Sequence, residues 1–273
     1  VFYSFWQTTR YTLREIRQAW SFADDFNSRV RLSSDLILFR FLKVLNLKSY
    51  NKERTIQCSS GMKLTYRLNR GDIQGIREVW LDEAYRLPFP LEPKLVIDLG
   101  ANIGLTSLWL WKHYHCDRII AVEPNQSNAA LVQKNFTDNG VNGNVIEAAV
   151  GSTDGTVIFE ASNESNLGRV VTGEAQNKSG EEVKMMSMAT LLANLPQDEV
   201  VNLVKMDIEG GEQDLICGDL RWLQRVKAMI AEFHPDVIDY PGLVKTIEQQ
   251  GFQYIPARSV TPHNMDAFLQ VSC

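Results

Sequence analysis

Two carboxylates at the ends of apolar runs are the first residues that could do chemistry. In Val96-Ile97-Asp98-Leu99-Gly100-Ala101-Asn102-Ile103-Gly104 an apolar run passes into a turn of small residues, with Asp98 at the junction. Gly100 and Gly104 permit tight backbone conformations and the close approach of a ligand. Twenty-five residues after Asp98, Glu123 ends a second run in Ala121-Val122-Glu123-Pro124-Asn125. An acidic residue there is placed to accept hydrogen bonds from both hydroxyls of a ribose. The turn lacks the dinucleotide fingerprint, because Asn102 stands where the second Gly of G-x-G-x-x-G belongs, and no Gly-Lys-Ser/Thr follows to make a Walker loop. A carboxylate in the turn opposes a pyrophosphate and suits a cationic ligand, or one offering amino and hydroxyl groups.

A second group lies downstream. Lys205-Met206-Asp207-Ile208-Glu209-Gly210-Gly211-Glu212 ends another apolar run, so Asp207 and Glu209 are expected at the same mouth as Asp98. A carboxylate ending an apolar strand must be paired or functional. Glu212 opens a helix, where the dipole stabilises an acid, and it is an acceptor-side candidate beyond that capping role. Glu232-Phe233-His234-Pro235 ends the next run, and His234 beside Asp207 is the general-base candidate. Asp207, Glu232 and His234 could alternatively hold a divalent cation that lowers a hydroxyl's pKa. The spacing shows no dedicated ligand motif, so metal is not favoured. The polar stretch Asn163–Arg169 fits an acceptor-side lid or an ordinary hairpin loop.

These residues need a scaffold that brings strand ends together. From Lys94 onward continuous apolar runs alternate with helical patterns, with strands expected at 94–99, 118–122, 144–150, 201–207, 227–233, 252–256 and 267–271. An antiparallel pair is expected at 156–160 and 182–187. Continuous apolar strands alternating with helices mean a mostly parallel sheet covered on both faces, that is, a doubly wound α/β fold. Ligands then bind beyond the carboxyl ends of the strands at the switch point. Residues 54–70 read as a hairpin around Ser60-Gly61, and 72–86 as an amphipathic helix N-capped by Asp72. Residues 1–48 carry aromatics, Phe2 to Phe26, interleaved with Arg10, Arg14 and Arg17. Two or three helices are expected there, as a cap on the main domain, a dimerisation arm, or a binder of an anionic surface.

Composition narrows the class. The chain has 273 residues, 44% hydrophobic and 22% charged, which excludes disorder as the main theme. Net charge is −5 and pI about 5.5, against a dedicated nucleic-acid binder. The charge is uneven, +5 over residues 1–54 and −10 over the rest. Cys58, Cys116, Cys217 and Cys273 are scattered without metal-ligand spacing, which favours a reducing, cytoplasmic setting. No run reaches the roughly 18–20 apolar residues of a membrane span, and nothing resembles a signal peptide. The first residue is Val rather than Met, which leaves the native N-terminus open.

Four blocks together resemble the FkbM-type family of S-adenosylmethionine-dependent methyltransferases. They are VIDLGANIGLTS (96–107), VEPNQSNAALVQKN (122–135), AAVGS (148–152), and VKMDIEGGEQDLI (204–216) with AEFHP (231–235). The resemblance covers about residues 60–260 and implies a class I methyltransferase fold with a seven-stranded, Rossmann-like sheet; that domain is expected over 55–273, with 1–54 as a helical N-terminal extension serving as a cap, a dimerisation arm or an acceptor-side arm. It implies S-adenosyl-L-methionine as methyl donor and a hydroxyl of a small metabolite or sugar as acceptor. Asp98, Gly100, Asn102 and Gly104 would line the amino-acid and ribose portions of the donor, Glu123 the ribose, and Ala148 and Ala149 the adenine. Asp207, Glu209 and His234 would face the acceptor, with Arg70 and Asp72 closing over the site. Methylation of a nitrogen or of a protein side chain is the rival within enzymes. A non-catalytic cofactor-binding or membrane-surface module is the rival outside them. A homodimer through the N-terminal helices is a further expectation.

Overall fold

The computed structural model describes residues 13–45, 51–160, 169–171, 180–209, 211–233, 239–257, 263 and 265–271. Residues 1–12, most of the 163–169 stretch and His234 lie outside them.

Short apolar runs free of internal Gly and Pro form the central strands β3 (Leu95–Leu99), β4 (Arg118–Val122), β10 (Leu203–Met206) and β11 (Ala228–Glu232). With β5 (Gly143–Ile146) they pair in parallel. The antiparallel strand β13 (Met265–Gln270) sits between β11 and β12 (Phe252–Pro256), giving the order β5-β4-β3-β10-β11-β13-β12. The order reverses between β3 and β10, which opens a crevice at their carboxyl ends. Helices α4 (Leu105–Tyr114), α5 (Gln126–Asn139), α6 (Met188–Ala193), α7 (Glu212–Cys217) and α8 (Tyr240–Glu248) follow the strands. Two apolar clusters cover the two faces, and the strands divide between them with period two. Leu95, Ile97 and Leu99 belong to one, Val96 to the other.

The run expected as one strand over 144–150 is split. After β5, Glu147 and Ala148 turn the chain, and β6 (Ala149–Gly151) joins a separate sheet, ordered β6-β9-β7-β8, with β7 (Gly155–Glu160), β8 (Arg169–Val171) and β9 (Glu181–Ser187). The expected antiparallel pair is β7 and β9.

The hairpin is β1 (Glu53–Gln57) and β2 (Lys63–Arg67). The helix expected over 72–86 is shorter and starts earlier. α3 runs Arg70–Ile76 with Asn69 as its N-cap, accepting from the Asp72 N–H at 2.8 Å. Asp72 is thus inside the first turn. A π-helical turn, Arg77–Leu81, replaces the second half and buries Val79, Trp80 and Leu81.

In the N-terminal region α1 spans 13–22 and α2 spans Phe26–Leu45. Ala19, Leu32, Leu36 and Phe39 join the same core cluster as Ile56, Leu64, Tyr66 and Trp109. Polar ties reinforce that packing. The Tyr66 hydroxyl donates to Asp35 at 2.7 Å, and Arg77 pairs with Glu15 at 2.8 Å.

Candidate active site

A cavity of about 280 Å³ opens at the carboxyl ends of β3, β4 and β10, where the sheet order reverses. Of the sequence candidates, Gly100, Asn102, Glu123, Ala148, Ala149, Asp207, Glu209 and Glu232 line it. Three turn residues alternate in the left-handed region: Gly100 at φ +74°, Asn102 at +49° and Gly104 at +83°. Asn tolerates that conformation better than most side chains, so G-x-N-x-G supplies the required backbone.

Gly100 serves the sheet more directly than the ligand. A Cβ there would lie 1.8 Å from the Asp207 carbonyl oxygen, because the chain leaving β3 and the chain leaving β10 meet at this point. Gly104 caps α4, and its Cβ would press on Val132 at 3.2 Å.

Glu123 is buried and fixes the turn. Its Oε2 accepts from the Asn102 N–H at 2.8 Å, and its Oε1 accepts from the Asn125 N–H at 3.0 Å and Asn128 Nδ2 at 3.3 Å. Burial pushes its carboxyl up to about 7, against the opposing pull of those donors. Asn128 is itself held by Arg67, whose Nη2 donates to Asn128 Oδ1 at 2.6 Å. Arg67 is clamped by Asp72, through Nε at 3.0 Å and Nη2 at 3.1 Å. Asp72 therefore does not line the cavity but acts on it through Arg67 and Asn128. Arg70 is also outside the lining.

Asp98 is fully buried below the cavity rather than in its wall. It accepts from Ser107 Oγ at 2.6 Å and pairs with Lys205 Nζ at 3.0 Å. The reason is register: Asp98 and Lys205 are neighbours across the parallel β3–β10 pairing, on one face of the sheet. Lys205 also donates to the Gly100 carbonyl at 2.6 Å. Burial pulls its ammonium down, but Asp98 and then Asp207 outweigh it, so the net direction is up and the charge is kept.

Asp207 is the carboxylate with capacity to spare. Its Oδ2 accepts from the Tyr85 hydroxyl at 3.1 Å, while Oδ1, a buried atom, has no hydrogen-bond partner among the described residues. Burial drives the Tyr85 phenol well above its usual range, so it stays a donor. Glu78, raised by burial, and Tyr85 line the same cavity. Glu209 holds a left-handed φ of +53° there. Glu212 lies outside it, and its Oε1 accepts from the Ile208 N–H at 3.2 Å, closing the turn after Asp207.

Sequence reasoning did not single out Lys205, Tyr85, Glu78, Arg67 or Asn128. A signal existed for Lys205: a cation inside the run Val201–Ile208 must find a buried carboxylate, and Asp98 is embedded likewise. Tyr85 and Glu78 come from outside the strand–turn blocks, so only the fold brings them in. Among the described residues no group of three or more His, Cys, Asp or Glu could hold a metal ion.

The wall fits a nucleoside that carries donors. Asn102 Oδ1 is a buried acceptor lacking a partner among the described residues. S-adenosylmethionine, with its ribose hydroxyls and amino group, offers donors of this kind.

The sequence matches the methyltransferase FkbM domain over residues 98–254, more than half of the chain. It is 24% identical to Methyltransferase 1 of Beauveria bassiana (strain ARSEF 2860) over 198 residues, 64% of this chain and 79% of that one. It is also 24% identical to methyltransferase sdnD of Sordaria araneosa over 221 residues, 68% of this chain and 85% of that one. Among solved structures, a methyltransferase FkbM from Methylobacillus flagellatus KT aligns at TM-score 0.48 and 15% identity. That alignment takes in 95% of this chain, which spans 59% of the other. The chain thus belongs to the FkbM methyltransferase family, with a class I fold and S-adenosylmethionine as its methyl donor.

Proposed function

We propose that this enzyme methylates a hydroxyl oxygen of a small metabolite or sugar. The observation that carries the reading is Asp207, whose Oδ2 is held by Tyr85 while Oδ1 stands without a partner among the described residues in the cavity wall. Bound in this cavity, S-adenosylmethionine supplies an electrophilic methyl group. Glu123 would receive its ribose hydroxyls, Gly100 and Asn102 its amino-acid side, and Ala148 and Ala149 its adenine. Asp207 takes the acceptor hydroxyl's proton, and Tyr85 fixes the carboxylate through its hydrogen bond to Oδ2. Holding both reactants in one orientation accounts for much of the remaining acceleration. Asp98 and Lys205 act from beneath, by pinning the Gly100 carbonyl. Glu209 and Glu232 would shape the acceptor side, and His234 remains a second base candidate on sequence grounds.

Glu78, Asp207, Glu209 and Glu232 together make the acceptor side acidic, which favours a second reading: an amine acceptor. Methyl transfer from isotopically labelled donor to paired hydroxyl and amine compounds, with the product's methyl environment read by NMR, separates the two. An O-methyl product that fails to form with Asp207→Asn supports the first reading. Exclusive N-methyl product overturns it.

Residues 1–54 are read as a cap on domain 55–273 that also mediates a homodimer. Leu13, Trp20, Phe26, Val30 and Ile37, exposed on α1 and α2, support that reading. A cytoplasmic setting follows from the scattered cysteines, of which Cys58 and Cys116 are buried and free. Among the described residues no helix is long and apolar enough to cross a membrane.

A further inference from the structure

A second cavity, of about 650 Å³, shares the π-turn and the residues just after it with the first: Glu78, Val79 and Ala84 line one, Trp80, Leu81 and Glu83 the other. Its remaining walls are α1, the β1–β2 turn and the last turn of α4. None of the residues assigned above to donor or acceptor belongs to it, apart from the shared turn.

Its charges do not balance. Arg14 and Arg17 project from one face of α1, and Lys112 comes from α4. The nearby acids are already answered: Asp82 lies 3.6 Å from Arg14, and Glu83 is bonded to Arg86. Lys112 Nζ donates to the Ser60 carbonyl at 3.1 Å, a neutral partner. Arg17 forms no ion pair with a described residue. Two cations therefore face the groove without a counter-charge.

The uncharged lining points the same way. Trp80 is 9% exposed, and its Nε1–H, which can only donate, has no hydrogen-bond partner among the described residues. Phe22 and Trp80 sit with ring centroids 5.1 Å apart and offer aromatic surface beside the cations. Cations without a counter-charge next to aromatic walls match an oxygen-rich anion joined to a flat body. We infer that this groove binds a small phosphate ester of an aromatic compound, at a site separate from the methyl-transfer cavity.

Calorimetric titration of the full chain with 2-naphthyl phosphate tests this, with 2-naphthol as the neutral control and inorganic pyrophosphate as competitor. Saturable binding of the phosphate ester, displaced by pyrophosphate and weakened at least about tenfold in Arg17→Glu/Lys112→Glu, is the expected result. The milder pair Arg17→Gln/Lys112→Gln, checked for an unchanged melting temperature, replaces it should the double charge reversal fail to fold. Equal affinity for 2-naphthol, unchanged affinity in the double variant, or no binding overturns the inference. So does co-sedimentation with phosphatidylserine vesicles, lost in the double variant, when the soluble phosphates do not bind, since that assigns the groove to a membrane surface.

Discussion

Glu123 accepts three hydrogen bonds from the chain around it, yet burial still lifts its carboxyl from the ordinary 4.5 to about 7. The free protein thus prefers the protonated acid. That preference stabilises it fully below 4.5 and is lost as pH rises through about 7. Ribose hydroxyls that donate to this group favour its ionised form. S-adenosylhomocysteine should therefore bind more tightly at pH 8 than at pH 6, by up to about tenfold, and Glu123→Ala should flatten the profile. A titration series across that range reads it directly. At Asp207 the expected effect is on turnover: Asp207→Asn should lower kcat by about 10²–10⁴ with donor affinity little changed. Tyr85→Phe, which removes one hydrogen bond of about 1 kcal/mol, should cost only roughly fivefold. Acid types at strand ends made Glu123 and Asp207 legible in the sequence. Asp98 misled because a strand-end carboxylate reads as ligand-facing, whereas pairing with Lys205 depends on which strands become neighbours.

The elements explain why the site holds its shape. At Gly100 a left-handed φ coincides with the Asp207 carbonyl filling the place of a Cβ. Gly100→Ala should destabilise the fold by roughly 2–4 kcal/mol and weaken S-adenosylhomocysteine binding, measured by denaturant unfolding and calorimetry. The hairpin and α3 reach the cavity through the buried chain Asp72–Arg67–Asn128–Glu123. Arg67→Ala removes the guanidinium bonds to the buried Asp72 carboxylate and to Asn128, and should cost about 1.5–3 kcal/mol and loosen donor binding together. The strand–turn–helix pattern was readable because continuous apolar runs and turn residues are local signals. The early N-cap at Asn69 and the π-turn were not: Asp72 looks like a cap until Arg67 claims its carboxylate, and the wide turn answers packing from distant residues.

For the whole molecule, the period-two division of β3 and β10 side chains between the two apolar clusters and the reversal of strand order are what put both acidic groups at one mouth. The alternation of strand and helix carried that much in the sequence. Assigning β6 to a second sheet needed the three-dimensional course of the chain after Ile146. The exposed apolar stripe on α1 and α2, with Leu13 at 62% and Phe26 at 69%, belongs to this scale. On the proposed homodimer, light scattering should give a dimer for the wild type and a monomer, with the fold intact, for Trp20→Asp with Phe26→Asp. The claim on which the account turns is that the Glu123 carboxylate frames the donor cavity, and thermal unfolding with saturating S-adenosylhomocysteine tests it most directly. At one hundred times the dissociation constant the wild type should gain about 2.7 kcal/mol, seen as a clear rise in Tm, and Glu123→Ala should lose most of it. An equal rise in both proteins, or none in the wild type, would contradict the account.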